Sequence, residues 1–408
     1  MSDRTKSSRA SRRKFLAASG AFAGLSAAPA FIRAQTRSSA PIKIGVNLPT
    51  SGVFALVGQE ANIGIKMYLE SIKYTAAGRK IDVIFEDETV QVNTAVAKAR
   101  KLLENDKVHA LLGGVATPVI YATAPLIVKE QTPYIITVGG GAEITRKSKR
   151  NEFSFRTSYN IWAMTYPFAK WVAQNQTKRV YIFCPDFAAG REFADAFKAG
   201  FTEAGGTIVG ESYAPLASPD FVPFLTKVAE AKPEGVFGFW AASAAIRYLK
   251  AADQLGLNRT SKLFLTGFAN DYDTLPETGN AAIGSISVHP WNLDLPNAAN
   301  QAFVKNYLAA NNNKTPSYLP LFGWDAMRAV VAAIDKVKGE VEDKRKFAAA
   351  FKGVAFDSPR GRMQIDAATH DVVQDLYVRE TVAGGRTMPM SKVIATLTKA
   401  SDPFPDKG

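Results

Sequence analysis

The stretch HALLGGVATPVIYATAPL, residues 109–126, changes its apolar pattern halfway along. Its first half is a short continuous apolar run closed by two glycines, as expected of a strand buried on both faces. Its second half spaces apolar residues at helical intervals. Between the halves, Thr117 is placed to cap the helix and Pro118 to open it. A strand ending where a helix begins gathers unpaired N–H groups at one point, a natural place for an anion.

The same unit repeats outward in both directions. IKIGVNLP (42–49), KIDVIFED (80–87) and PYIITVGGG (133–141) read as strands, with helical patterns at 60–72 and 93–105 between them. A break at FSFRTSYN (153–160) is followed by a second series. Its strands are RVYIFCPD, TIVGESYAP, GVFGFW and KLFLTGF, again alternating with amphipathic helices. Alternation of this kind predicts an α/β fold with two Rossmann-like lobes, each a parallel sheet with right-handed crossovers. The later chain holds loose helices and a hairpin-like stretch at 363–381, too little for a third lobe, so it is expected to pack back onto the first two. Crossings near 154–160, 284–292 and 356–362 would then form a three-crossing hinge. The expected division is residues 41–156 plus 289–358 for one lobe and 157–288 plus 359–395 for the other.

Residues 1–34 read as a removable export signal. SRRKFL (11–16) puts paired arginines before a mild apolar stretch rich in Ala, Gly and Ser, and small residues follow at 28–34. This is the pattern of a twin-arginine signal cleaved around residues 30–35, and no Cys follows it to anchor a lipid. The segment carries seven Lys and Arg and one acidic residue, which leaves 43 basic and 36 acidic side chains beyond it, a charge of +7 instead of +13. That excess is scattered, which argues against nucleic-acid binding.

Catalytic chemistry is not visible in the motifs. Walker, G-x-G-x-x-G, G-x-S-x-G and H-E-x-x-H patterns are missing. Cys184 is the single cysteine, with only His109, His289 and His370 as histidines, so it reads as a packed core thiol and no metal or other cofactor is expected. Glu86, Asp87 and Glu88 cluster at a strand end, where a solvated strand-to-helix loop is the simpler expectation than acid–base work. A binding protein fits better than an enzyme.

Open α/β sheets bind ligands beyond the carboxyl ends of their strands. In the first lobe that selects residues 48–60, Ala116 with Thr117, and Gly139, Gly140 and Gly141, where glycines allow close backbone approach. In the second it selects PDFAAGRE, FWAASA and TGFAND, with VHPWN at a crossing. Phe187, Trp240, Phe268 and Trp291 are the candidate aromatic lining.

In order and spacing, these segments resemble the periplasmic leucine/isoleucine/valine-binding family over residues 41–395. The passages that carry the likeness are IKIGVNLPTSGVFALVGQEANIGIKMYLE, FEDETVQVNTAVAKARKLLENDKVHALLGGVAT and PDFAAGREFADAFKAGFTEAGGTIVGE. The resemblance implies a type I, Venus-flytrap fold, a monomer, a periplasmic location and delivery of a small solute to an inner-membrane ABC permease. It also implies a carboxylate site at Thr117, with Ala116 and Gly139 to Gly141, and an acid for an α-ammonium in the segment LTGFAND. Phe268 or Ala269 stands at that acid's place, with Asp271 further on, while Val57 and Ala189 replace two expected aromatics. The expected ligand is therefore a carboxylate with an apolar or aromatic body. An amino acid, amide or urea-like ligand becomes the expectation if Asp271 or Glu192 faces the cleft, and a ligand-sensing module signalling to a partner is the other alternative.

Overall fold

The computed structural model describes residues 38–89, 91–384 and 388–406. The expected export signal lies outside them. Two α/β lobes make up the described chain. The first sheet contains β1 (Ile42–Leu48), β2 (Thr75–Ala76), β3 (Arg79–Asp87), β4 (Ala110–Gly113), β5 (Tyr134–Ile136) and β6 (Ser154–Arg156), in the order β2-β3-β1-β4-β5-β6. All its pairings are parallel except the short β2–β3 edge. Ile42, Ile44, Val46 and Leu48 on one face of β1 are fully buried, and Gly45 and Asn47 on the other are buried as well, as in a sheet covered on both faces.

The second sheet takes β7 (Arg179–Pro185), β8 (Thr207–Ala214), β9 (Gly235–Gly238), β10 (Lys262–Thr266) and β11 (Ile286–His289) from the middle of the chain. It is completed by β12 (Ala355–Ser358), β13 (Gly361–Ile365), β14 (Val372–Val382) and β15 (Met390–Ala400). Its order is β12-β13-β14-β11-β10-β9-β7-β8, with β15 antiparallel to β14. The hairpin read at 363–381 is the β13–β14 pair. The alternation in β15 was not read from the sequence. Residues 356–362, expected near a crossing, lie in the antiparallel β12–β13 pair.

The register aligns strand ends. Asn47 pairs with Gly113 and Gly113 with Ile136, so the loops after β1, β4 and β5 leave the first sheet at one edge. The loops after β7, β9 and β10 leave the second in the same way. Crossings are bound to one another by Arg360, which is fully buried. It donates to the carbonyls of Ser158 (2.8 Å) and Thr157 (2.5 Å) and to the Asp325 carboxylate (2.9 Å).

A later helix packs against the first lobe. The Tyr318–Lys336 helix crosses the Ala55–Ser71 helix at glycines on both sides. A Cβ on Gly64 would lie 1.7 Å from the Pro320 carbonyl oxygen, and one on Gly323 would lie 1.9 Å from that of Ala61. Backbone meets backbone there, so no side chain can yield. Gly64→Ala is expected to lower stability by about 1–3 kcal/mol, read from the midpoint of urea unfolding.

Candidate functional site

Between the aligned strand ends lies a small cavity. The first lobe contributes Phe54, Val57, Val115, Ala116, Thr117 and Val138. Phe187, Ala189, Phe239, Ala241 and Phe268 face them from the second. Tyr159, from the first crossing, and Tyr318, from the returning helix, complete the wall. No Asp, Glu, Lys, Arg or His is among these residues.

Six expected residues therefore meet at the cavity: Val57, Ala116, Thr117, Phe187, Ala189 and Phe268. Thr117 differs in its role. Ala116 is the N-cap, Thr117 and Pro118 open the helix, and no side chain caps it. The Thr117 hydroxyl makes no hydrogen bond among the described residues, although the residue is only 2% exposed. It is free to donate into the cavity, beside the N–H groups of Ala116 and Thr117; further along, Pro118 has no N–H and Val119 N donates to the Ala116 carbonyl at 3.0 Å.

The neighbouring loop N–H groups already have a partner. Glu88 accepts from Val115 N (3.1 Å) and Gly114 N (3.4 Å) and is 1% exposed, so the solvated loop expected here is a buried internal contact. Burial pushes its carboxyl up to about 8, against an ordinary 4.5. At neutral pH it keeps its proton, so it satisfies the loop without setting a negative charge behind the anion site. Glu86 is held by Lys98 and Lys101, and Asp87 accepts from Thr50 N and Thr89 N.

Gly139, Gly140 and Gly141 lie behind the cavity wall. A Cβ on Gly140 would strike the Tyr159 ring at 2.2 Å, and one on Gly141 would strike Thr117 Cγ2 and the Tyr121 hydroxyl at 2.6 Å. These glycines let side chains of the site pack closely, where the sequence suggested ligand approach. The carbonyls of Gly139 and Gly141 accept from Arg156, which is fully buried and ion-paired with Asp371 at 2.8 Å.

Three other expected residues point away. Trp240 is fully buried in the second lobe's core, donates from Nε1 to the Phe183 carbonyl (3.1 Å) and packs on Phe221 and Tyr248. Side chains alternate along an extended chain, so Phe239 and Ala241 take the cavity face instead. Trp291 is fully buried and donates to Asn300 Oδ1 at 2.8 Å. Asp271 is fully buried and bound to Arg379 at 2.7 Å. Glu192, the other acid considered, accepts from Ala142 N at 2.8 Å and so bridges the lobes. Burial raises its carboxyl to about 7. Neither acid lines the cavity.

Phe54, Val115, Val138, Tyr159, Phe239, Ala241 and Tyr318 were not singled out in the sequence. Alternation in GVFGFWAASA could have chosen Phe239 over Trp240. Tyr159 sits in a crossing and Tyr318 opens a late helix capped by Ser317, so no local pattern links them to the site. Cys184 is buried, its thiol pushed up to about 12, as expected of a core residue.

Two lobes around one cavity, lined from both sheets at their carboxyl strand ends, define a solute-binding protein. Residues 41–386 match the periplasmic binding protein family, and the chain belongs to it. It is 29% identical to Leu/Ile/Val-binding protein homolog 6 of Brucella suis biovar 1 over 367 residues, 89% of this chain and 93% of that one. A solute-binding protein of an ABC transporter from Rhodopseudomonas palustris BisB5, in complex with 3,4-dihydroxybenzoic acid, is 32% identical. It superposes with a TM-score of 0.84 over 89% of this chain and 99% of its own. An ABC-transporter solute-binding protein of R. palustris in complex with benzoate is 28% identical, with a TM-score of 0.83 over 90% and 99%.

The buried acids make stability depend on pH. Between 4.5 and about 8 the folded chain holds the Glu88 proton that the unfolded chain has released. Stability should therefore fall as pH rises through that window, with Glu192 adding the same sign up to about 7. Urea unfolding of the free protein at about pH 5 and about pH 8 reads the slope. Glu88→Gln keeps an acceptor toward Val115 but cannot ionise, so it should reduce that slope. An unaltered slope would mean that the Glu88 proton does not contribute.

Proposed function

We propose that this chain is the substrate-binding protein of an ABC importer for an aromatic carboxylic acid of the benzoate class, handing its ligand to an inner-membrane permease from the periplasm. The observation that carries this reading is the uncharged cavity. An α-amino acid buried there would bring an ammonium with no carboxylate to meet it, at a cost of several kcal/mol. Asp271 is neutralised by Arg379, and Glu192 is engaged with Ala142.

A carboxylate has better provision. The Thr117 hydroxyl and the backbone N–H groups of Ala116 and Thr117 are neutral donors at the positive end of the dipole of the Thr117–Glu130 helix. Phe187, Phe239 and Phe268 supply apolar surface for a ring, with Phe239 centred 6.1 Å from each of the other two. The two R. palustris proteins, whose ligands are benzoate and 3,4-dihydroxybenzoic acid, support the same ligand class.

Titration calorimetry with benzoate, leucine and valine tests the reading. Benzoate should bind and the two amino acids should not. Tight leucine or valine binding with no response to aromatic acids would overturn it. Thr117→Val, which keeps the shape and removes the hydroxyl, should weaken benzoate by roughly tenfold to a hundredfold, as for loss of a hydrogen bond to a charged group.

A further inference from the structure

We infer that the cavity also reads a hydroxyl on its ligand's ring, through the phenol of Tyr318, so that the preferred ligands are hydroxylated aromatic acids. This rests on the aromatic-acid reading of the same site.

Three hydroxyls belong to the cavity wall, those of Thr117, Tyr159 and Tyr318. The residues are 2%, 7% and 3% exposed, and none of the three hydroxyls has a hydrogen-bond partner among the described residues. They are also not sealed in the protein, unlike the unpartnered hydroxyls of Tyr248 and Thr123, so what access they have is to the cavity. Other tyrosines are satisfied within the chain. Tyr377 donates to the Arg360 carbonyl, and Tyr307 to Glu60. A buried phenol kept without a protein partner is an open request for a ligand group.

The three hydroxyls have different surroundings. Thr117 stands at a helix N-terminus, which favours an anion, and it and Tyr159 stand against the adjoining glycines Gly141 and Gly140. Tyr318 lies on the returning helix, beside His289 and Phe322. Burial holds the Asp273 carboxyl well above the usual carboxylate range and Arg379 matches Asp271, so neither sets a bare charge at the Tyr318 phenol. Those surroundings suit a neutral group that can both donate and accept. Tyr318 is also fixed in place, its ring centred 5.2 Å from Phe268, 4.7 Å from His289 and 5.2 Å from Phe322. A rigid donor and acceptor discriminates more sharply than a mobile one, because the ligand lacking a hydroxyl leaves it unpaired.

Calorimetry on benzoate, 4-hydroxybenzoate and 3,4-dihydroxybenzoate, with wild type, Tyr318→Phe and Tyr159→Phe, tests the assignment. At least one hydroxylated acid should bind wild type about tenfold or more tighter than benzoate. Tyr318→Phe should abolish that advantage, costing the hydroxylated acid about tenfold or more beyond any loss for benzoate, while an unchanged midpoint of urea unfolding reports intact folding. Tyr159→Phe should weaken all the acids by a common factor. Equal wild-type affinity for the three acids, or a Tyr318→Phe loss shared equally by benzoate, would overturn the inference while leaving the aromatic-acid reading standing. Failure of all three acids to bind would overturn that reading, and this inference with it.

Discussion

The bond between Asp271 and Arg379, 2.7 Å long and wholly out of solvent, matches a carboxylate charge that would otherwise stand bare inside the second lobe. A carboxylate beside a binding cavity would ordinarily attract a cation. Here its charge is matched by a guanidinium brought in from β14, which also donates to the carbonyls of Trp291 and Gly267. Other ionisable groups around the cleft follow the same rule. Arg156 is occupied by Asp371 and the glycine carbonyls, and Glu88 by the loop N–H groups. Each charge is balanced or neutralised inside the protein, and the lining is left to rings, methyls and three hydroxyls. Removing either partner of such a buried pair leaves an uncompensated charge, which is why they belong to the framework of the site.

The fold was legible because its signals are local. Continuous apolar runs ending in glycines marked strands β1, β4 and β5, and helical spacing marked what lay between them. Alternation of the two is nearly sufficient for a parallel sheet. Half of the site was legible for the same reason, since residues just beyond a parallel strand must stand at its carboxyl edge. Val57, Ala116, Thr117, Phe187, Ala189 and Phe268 were reached that way.

The remainder depended on facts that sequence proximity does not encode. Trp240 and Phe239 are neighbours, and which one faces the cavity turns on strand phase. Tyr159 and Tyr318 come from segments far apart that meet only when the chain has returned to the first lobe. Glu88 resembles any acidic loop residue until the loop after β4 folds down on it. Asp271 could be recognised as neutralised only once Arg379 was beside it.

β14 lies between β13 and β11 in the second sheet and also pairs with β15. Its partners on one side come from the middle of the chain, and it arrives near the end of synthesis. Before then β11 is a bare edge, and Asp271 lacks its guanidinium. The sheet is therefore completed by long-range closure, a topology that folds slowly and leaves an open strand edge exposed to other chains in the meantime. The same strand that makes the cleft neutral sets the moment at which the second lobe becomes a finished body.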